Sequence, residues 1–400
     1  MKRDKRTANT LLVSLGIGVA LVGASVLALG ELPVQAEKEA GVAASRGTAA
    51  GAGNASGTSV RAALETISFR DTESHWAKSA ITEAARKGYV DGYEDGSFRP
   101  EGLVTRAEFL KMAATAMNLS VTSGTAKDWY VPYVNAAVNA NIHRYHDFTT
   151  GDWNTPITRQ EMARIAVRAT DKLLQNPAMQ MDDKSFVFNA TKRGLMQGLA
   201  GGELGLEETT TRAQSVTIIE RILSLNSGKK LEVDKAAQSA AEIALTGTNT
   251  ETMWGFKIVP LPLEAYIAND IKMVIDQVLV VDMTDSSSYQ YDMFKDAIKR
   301  PDTSVFTDYV LAYHISVTNE GAKVHDTAAM RMLLSMYPWN GIYIKEDLVS
   351  LWLDQEGPAS GWICFSQDKN VIDEINKSGK QIALVLDSNK EKVWISKKGK

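Results

Sequence analysis

Thr105-Arg106-Ala107-Glu108 returns as Thr158-Arg159-Gln160-Glu161 and again as Thr211-Arg212-Ala213-Gln214, each copy 53 positions after the last. A fixed period of that size marks a repeated supersecondary unit. Neighbouring residues keep the step: Trp76 maps to Trp129, Ala84 to Ala137 and Ala190, and Gly88 to Asn141 and Gly194. Thr followed three positions later by Glu or Gln is a capping box, in which the hydroxyl accepts one free helix N–H and the acid or amide reaches back to another. Thr105 with Glu108, Thr158 with Glu161, and Thr211 with Gln214 each open a helix on this reading. Phe109, Met112, Ala113, Ala116 and Met117 continue the first helix at helical spacing.

The capping box does not account for the arginine. Arg106, Arg159 and Arg212 occupy the first helical position, where the helix dipole is positive and a cation is mildly disfavoured. Such a residue is either solvated, or bonded structurally to a neighbouring repeat, or placed to receive an anion. Repetition at the same unfavourable position keeps the anion reading open.

Working outward, Phe69, Asp71, His75 and Trp76 lead into a helix expected to carry Trp76, Ala80, Ile81, Ala84 and Ala85 on one face. Gly88 is its C-terminal cap. In Gly92-Tyr93-Glu94-Asp95-Gly96-Ser97-Phe98-Arg99-Pro100, Asp95-Gly96 signals a turn and Pro100 stiffens the chain. Each unit therefore reads as helix, structured loop, helix.

The first unit resembles an S-layer homology domain, the wall-anchoring repeat of bacterial surface proteins. Phe69-Arg70-Asp71, His75-Trp76-Ala77, Gly92-Tyr93, Asp95-Gly96-Ser97-Phe98-Arg99-Pro100 and Thr105-Arg106-Ala107-Glu108 carry the match, which extends in weaker form over 67–225. The resemblance implies three tandem copies in a pseudo-threefold all-α bundle. It implies binding of pyruvylated secondary cell-wall polysaccharide in grooves between copies, with the motif arginines against the ketal carboxylate. Arginine offers a planar fork to a carboxylate, and Trp76 or Tyr93 would pack on a sugar face. The later units depart from the pattern. Asn141 to Tyr145 and Gly151-Asp152-Trp153 replace the first unit's loop residues, and the third unit has Asp182 at the tryptophan position and Gln214 at the glutamate position. At most two competent grooves are expected, with those of Arg106 and Arg159 favoured.

Two metal readings are weak. Asp91 to Gly102 has Asp91, Asp95 and Gly96 at calcium-loop offsets but lacks the closing glutamate. His143 and His146 beside Asp147 are three apart on a loop, a spacing seen more often in solvent than at a metal. No metal and no cofactor are expected.

The N-terminus has the parts of an export signal. Lys2, Arg3, Lys5 and Arg6 precede an apolar stretch from Leu11 to Leu29, and Val34-Gln35-Ala36 offers a cleavage site before Glu37. With 1–36 removed, no membrane association is expected. Residues 37–64 are dominated by small residues and read as a flexible linker. The repeats occupy 65–228, in units of about 65–118, 119–171 and 172–228, and 229–250 reads as a second linker, partly helical.

Residues 251–400 change character. Tyr309, Leu311, Tyr313, Ile315 and Val317 alternate as a strand does. Leu348 to Leu353, Trp362 to Phe365, Gln381 to Leu386 and Lys392 to Ile395 read as further strands, and Asn319-Glu320-Gly321 as a turn. Ile267, Ile271, Val274, Ile275 and Val278 read as a helix, with Phe294 in another. The fold class is therefore multidomain: an all-α repeat bundle followed by a β-rich, β-sandwich-like α+β domain. Ile315-Ser316-Val317-Thr318-Asn319 is weakly similar to the immunoglobulin-like modules of secreted lipoproteins.

Chemistry is hard to find in this part. It holds no Gly-x-Ser-x-Gly elbow, His-Glu-x-x-His or P-loop, and His314 and His325 have no nucleophile motif to serve. The single cysteine, Cys364, sits in an apolar run and reads as a small buried hydrophobe. A net charge of −4 gives no electrostatic support for nucleic-acid binding. No catalytic residue is assigned. The expected protein is exported by a Gram-positive-type bacterium, held non-covalently on its wall, and presents a non-catalytic module. The alternatives are a wall-associated hydrolase with its active site in 251–400 and a self-associating S-layer subunit. N-terminal sequencing of the extracellular protein should begin at Glu37; recovery of intact Met1 in membranes would replace the cleaved signal with a retained anchor.

Overall fold

The computed structural model describes residues 67–122, 127–148, 152–268, 271–295, 308–320 and 359–378, with short segments at 334–337, 343–344, 383–386 and 391–395. The export signal, the linker at 37–64, the strand read at 348–353 and His325 lie outside the described residues.

The three capping boxes form as read. Helices α2 (Arg106–Ala116), α4 (Arg159–Thr170) and α6 (Arg212–Asn226) are capped by Thr105, Thr158 and Thr211, with Glu108, Glu161 and Gln214 reaching back to the cap backbone. Each is preceded in its unit by a shorter helix: α1 (Lys78–Arg86), α3 (Val131–Asn139) and α5 (Asp183–Lys192). In α1 the buried residues are Ile81 and Ala84. Trp76 is not on that face: it precedes the helix and is 65 % exposed. Asp182, at the tryptophan position of the third unit, instead caps α5 by accepting the Ser185 N–H.

The sequence period reappears in the backbone hydrogen bonds. Val104 N–H donates to Thr210 O (3.1 Å), Thr210 N–H to Ile157 O (3.0 Å), and Ile157 N–H to Val104 O (2.9 Å), closing a ring. Around it, Arg106, Arg159 and Arg212 N–H donate to the carbonyls of Thr155, Glu208 and Gly102, at 3.0, 2.9 and 2.8 Å. Ala107, Gln160 and Ala213 N–H donate to Trp153, Leu206 and Pro100. The first two free amides of each capped helix are thus satisfied by another unit. A single apolar core follows, running from Phe69 to Ala241 and centred on side chains such as Phe98, Phe109, Ile157, Ile165 and Ile219, all fully buried.

Residues 229–250 hold a helix, α7 (Lys235–Thr246), with Ala237, Ala240 and Ala241 buried. A short helix α8 (Thr250–Trp254) follows. Both tie the helical part to the sheet. The Glu242 carboxylate accepts the N–H groups of Glu251 and Thr252 (2.9 and 2.7 Å), and the Asn249 amide bonds both backbone groups of Val280 (2.8 Å each).

The β-containing part is built on an antiparallel sheet in which β1 (Leu263–Ala268), β2 (Ile271–Asp282), β3 (Tyr309–Asn319) and β6 (Ala359–Gln367) lie side by side, with the two-residue β5 (Tyr343–Ile344) on the β6 edge. Three shorter strands, β4 (Leu334–Tyr337), β7 (Ala383–Leu386) and β8 (Glu391–Trp394), form a second sheet. Ile271 to Val278, expected to be helical, is therefore strand β2. Its Val and Ile residues favour the pleated surface, and a β-bulge between Ile275 and Gln277 brings Ile271, Ile275 and Val278 to one face at spacings of four and three, which imitates a helix. Helix α9 (Tyr291–Phe294) buries Phe294 against one face of the main sheet. Helix α10 (Lys369–Ser378), not expected from the sequence, buries Ile372 and Ile375 against the other. Cys364 is buried within β6.

Ile157 lies in the ring and is fully buried, so Ile157→Ala should cost about 2–5 kcal/mol. Because the three units share one core, denaturant titration should show the tryptophan fluorescence of Trp76, Trp129 and Trp153 changing in one transition. A separate, unshifted transition for the first unit would contradict the shared core.

Candidate functional site

Each motif arginine crosses from its own unit into the next; Arg106 meets a carboxylate, whereas Arg159 and Arg212 meet carbonyls at matching positions of the repeat. Arg106, 5 % exposed, forms a buried ion pair with Glu161 through Nε (3.1 Å to Oε2) and Nη2, and its Nη1 donates to Asp152 O at 3.2 Å. Its guanidinium also lies 4.7 Å from the Phe148 ring centroid. Arg159, also 5 % exposed, donates from Nε to Leu204 O (2.8 Å) and from Nη2 to Gln197 O (2.7 Å). Arg212 donates to Phe98 O and Asp91 O, both at 3.0 Å, and lies over Phe98 and Tyr93. All three therefore make structural bonds between units, and the carboxylate that the anion reading sought is already present at Arg106.

The aromatic residues divide likewise. Tyr93 stands at the Arg212 position, with Arg99 stacked on it at 3.8 Å. Trp76 borders a cavity of about 160 Å³ whose lining includes Arg159, Met162, Gln197, Gln214 and Arg221. Neither aromatic stands in the immediate contacts of Arg106, where Phe148 packs on Trp153 and His143 instead.

Two residues at this site were missed from the sequence. Arg168 ion-pairs with Asp147, both buried. Arg221 donates to Leu195 O at 3.4 Å, two residues from the carbonyl that holds Arg159. Burial lowers the guanidinium pKa of both Arg159 and Arg221, with Glu208 and Asp234 respectively acting in the opposite direction. Arg168 and Arg221 are themselves 53 positions apart, so the period that exposed the motif arginines contained the signal for them.

The two metal readings meet other chemistry. Asp95 accepts from Ser97 N and Oγ and pairs with Arg70, and its pKa is held down to about 2, chiefly by the Ser97 hydroxyl. His143 is buried whereas His146 is exposed. Among the described residues, no group of three or more His, Cys, Asp or Glu is placed to hold a metal ion.

Residues 68–110 match the sequence model of the S-layer homology domain. The chain carries an S-layer homology domain. Among similar proteins, an S-layer protein of Bacillus thuringiensis subsp. finitimus is 24 % identical over 286 residues, covering 65 % of this chain and 34 % of that protein. Amylopullulanase of Thermoanaerobacterium thermosulfurigenes is 34 % identical over 178 residues, 39 % of this chain and 9 % of the enzyme. A cellulosome-anchoring protein of Acetivibrio thermocellus is 32 % identical over 95 residues, 24 % of this chain and 19 % of that protein. The chain thus spans between about a tenth and a third of the length of these relatives. An S-layer homology domain and S-layer relatives mark a secreted protein of the cell surface. Among the described residues, no helix is long and apolar enough to cross a membrane.

Beyond the matched S-layer homology domain, the second unit contains a buried titrating group. His143, 1 % exposed, lies between Phe148 and Trp153 with Asp147 at 3.4 Å. Burial lowers its pKa to about 4, against the pull of Asp147 and with help from the charges of Arg168, Arg164 and His146. Burial acts to raise the Asp147 pKa, but the Arg168 hydrogen bond and charge and the Arg144 N–H outweigh it, so Asp147 is lowered. A depressed folded-state value means that the His143 contribution is fully present above the unfolded value of 6.5 and is lost as pH falls toward about 4. The loss over that window is up to roughly 3 kcal/mol. Met196 is the residue one period on. His143→Met should therefore flatten the dependence of the denaturant midpoint between pH 7 and 4.5; an unchanged slope would remove His143 as its cause.

Proposed function

We propose that the chain is held non-covalently on a bacterial cell wall by three S-layer homology repeats, at about 65–118, 119–171 and 172–228, which bind pyruvylated secondary cell-wall polysaccharide. Residues 251–400 are then presented outward as a non-catalytic, β-sandwich-like binding or spacer module. The observation that carries this reading is Arg159: a buried guanidinium at the edge of a cavity, held by two carbonyls, and in no ion pair among the described residues. A carboxylate entering there meets a fixed charge at little reorganisation cost. Trp76 at the rim offers a flat apolar face to a sugar ring. The ring of backbone bonds between the units supports the three-repeat bundle.

The hydrolase relatives carry no activity over, since amylopullulanase shares only 9 % of its length with this chain. A second reading, a subunit that self-associates in an S-layer, draws support from the length of the match to the Bacillus thuringiensis S-layer protein. Its 286 residues exceed what 65–228 can hold.

Titration of the full chain with isolated wall polysaccharide tests the anchor. Arg159→Ala should weaken binding about ten- to a hundredfold, the equivalent of roughly 1.5–3 kcal/mol for a lost charge-assisted contact. Arg212→Ala should weaken it less. Thr158→Ala, which removes only the cap, should cost about 1 kcal/mol of stability and leave affinity near the wild-type value. Wild-type affinity in Arg159→Ala would make that arginine purely structural.

A further inference from the structure

Helix α7, in the segment that reads from the sequence as a second linker, belongs to two cores at once. Ala241 and Leu245 pack in the core of the repeats, whereas Ile243 packs with Leu279, Val281 and Phe294 against the sheet. At the N-terminal end of α7 the Asp234 carboxylate accepts the N–H groups of Ala237 and, from the third repeat, Gly198, both at 3.0 Å. The two backbones touch there. A Cβ on Gly202 would lie 2.6 Å from the Cβ of Ala236, and one on Gly194 would lie 2.4 Å from Glu232 O.

The other end of α7 is built into the sheet. Pairing of β1 with β2 runs from Ala268 opposite Ile271 to Leu263 opposite Ile275. Beyond that point the junction itself takes the β2 edge. Gly247 O accepts the Val278 N–H (3.0 Å), Thr248 bridges to Val278, and the Asn249 amide bonds both backbone groups of Val280. Gly247 has a φ of +77°, and a Cβ there would lie 2.7 Å from Asp276 O, so the approach requires glycine. Thr248 and Asn249, the other two residues between α7 and α8, are 5 % and 1 % exposed. Two further bonds cross the joint: Glu242 of α7 holds the N–H groups of Glu251 and Thr252 in α8, and Lys192 of α5 pairs with Glu251 at 2.7 Å. Segments that let domains swing are exposed and crossed by few contacts. This one is buried and bonded to both parts.

We propose that residues 230–254 are a rigid coupling, so that the repeat bundle and the sheet move as one body. The sheet is then held at one orientation to whatever surface grips the bundle, and an array of such chains on one surface presents one face of the sheet throughout. The inference goes beyond wall anchoring and does not depend on which polymer the bundle binds. It also makes the two parts share their stability: a ligand that binds only the folded bundle protects the sheet as well.

The test uses the full chain. Spin labels at Ser79→Cys in α1 and Asn370→Cys in α10, both exposed positions, report the distance across the joint. Ser79→Cys with Lys184→Cys in α5 is the control pair within the bundle. The native Cys364 is buried and stays unlabelled. Pulsed dipolar spectroscopy should give one distance across the joint, with a distribution no wider than about twice that of the control. A wider distribution, or two distances, overturns the proposal. Hydrogen exchange gives an independent reading. The Val278 and Val280 amides, whose acceptors lie in the joint, should exchange within about tenfold of the Leu279 and Val281 amides, which alternate with them toward β3. Faster exchange than that means that the joint opens while the sheet stays folded, and overturns the proposal. Glu242→Ala combined with Asn249→Ala should widen the distribution across the joint at least about threefold and leave the control pair unchanged. A wild-type width in that variant overturns the assignment of rigidity to this joint. If the variant fails to fold, the two wild-type measurements decide.

Discussion

Val104, Ile157 and Thr210 exchange one backbone hydrogen bond each around a closed circuit, and the helical part depends on that circuit. An open stack of repeats leaves its end units half covered and needs special caps. A closed ring of three leaves no end. Each capped helix has its first two amides taken by the carbonyls of another unit, so no unit holds a complete set of bonds by itself. The motif arginines extend the same logic through their side chains, reaching across to carbonyls or to Glu161. Their place at the first helical position is unfavourable to a cation in isolation, but the neighbouring carbonyl oxygens face the guanidinium and offset the helix dipole.

What the sequence disclosed followed from period and capping. Thr105, Thr158 and Thr211 cap as their spacing implied, because a capping box is a local device whose bonds lie within four residues. Trp76 was misplaced because an apolar residue at helical spacing is indistinguishable from a rim residue until the helix start is known, and α1 begins at Lys78. Strand β2 was mistaken for a helix because a β-bulge between Ile275 and Gln277 breaks its alternation, so that Ile271, Ile275 and Val278 come to one face at spacings of four and three. The partners of the arginines could not be read at all. Arg106 and Glu161 are 55 positions apart, and their meeting is a property of the ring, not of either segment.

The same frame makes the grooves unequal. The backbone bonds between units repeat at every 53 positions, whereas the side chains on the groove walls do not. Asp147 and Glu161 give the second unit a neutral, filled interior in which His143 can be buried uncharged. Met196 stands at the His143 position in the third unit and lines a cavity. One scaffold thus carries a closed interface and an open one side by side.

The capping glutamate position also separates heritable choices that are usually entangled. Gln214 completes its capping box as Glu161 does, so either residue keeps the helix start intact. Only the glutamate can neutralise an arginine arriving from the preceding unit. Codons for the two amino acids differ at a single base. In the second unit a single-base change would therefore remove the partner of Arg106 and leave the cap in place.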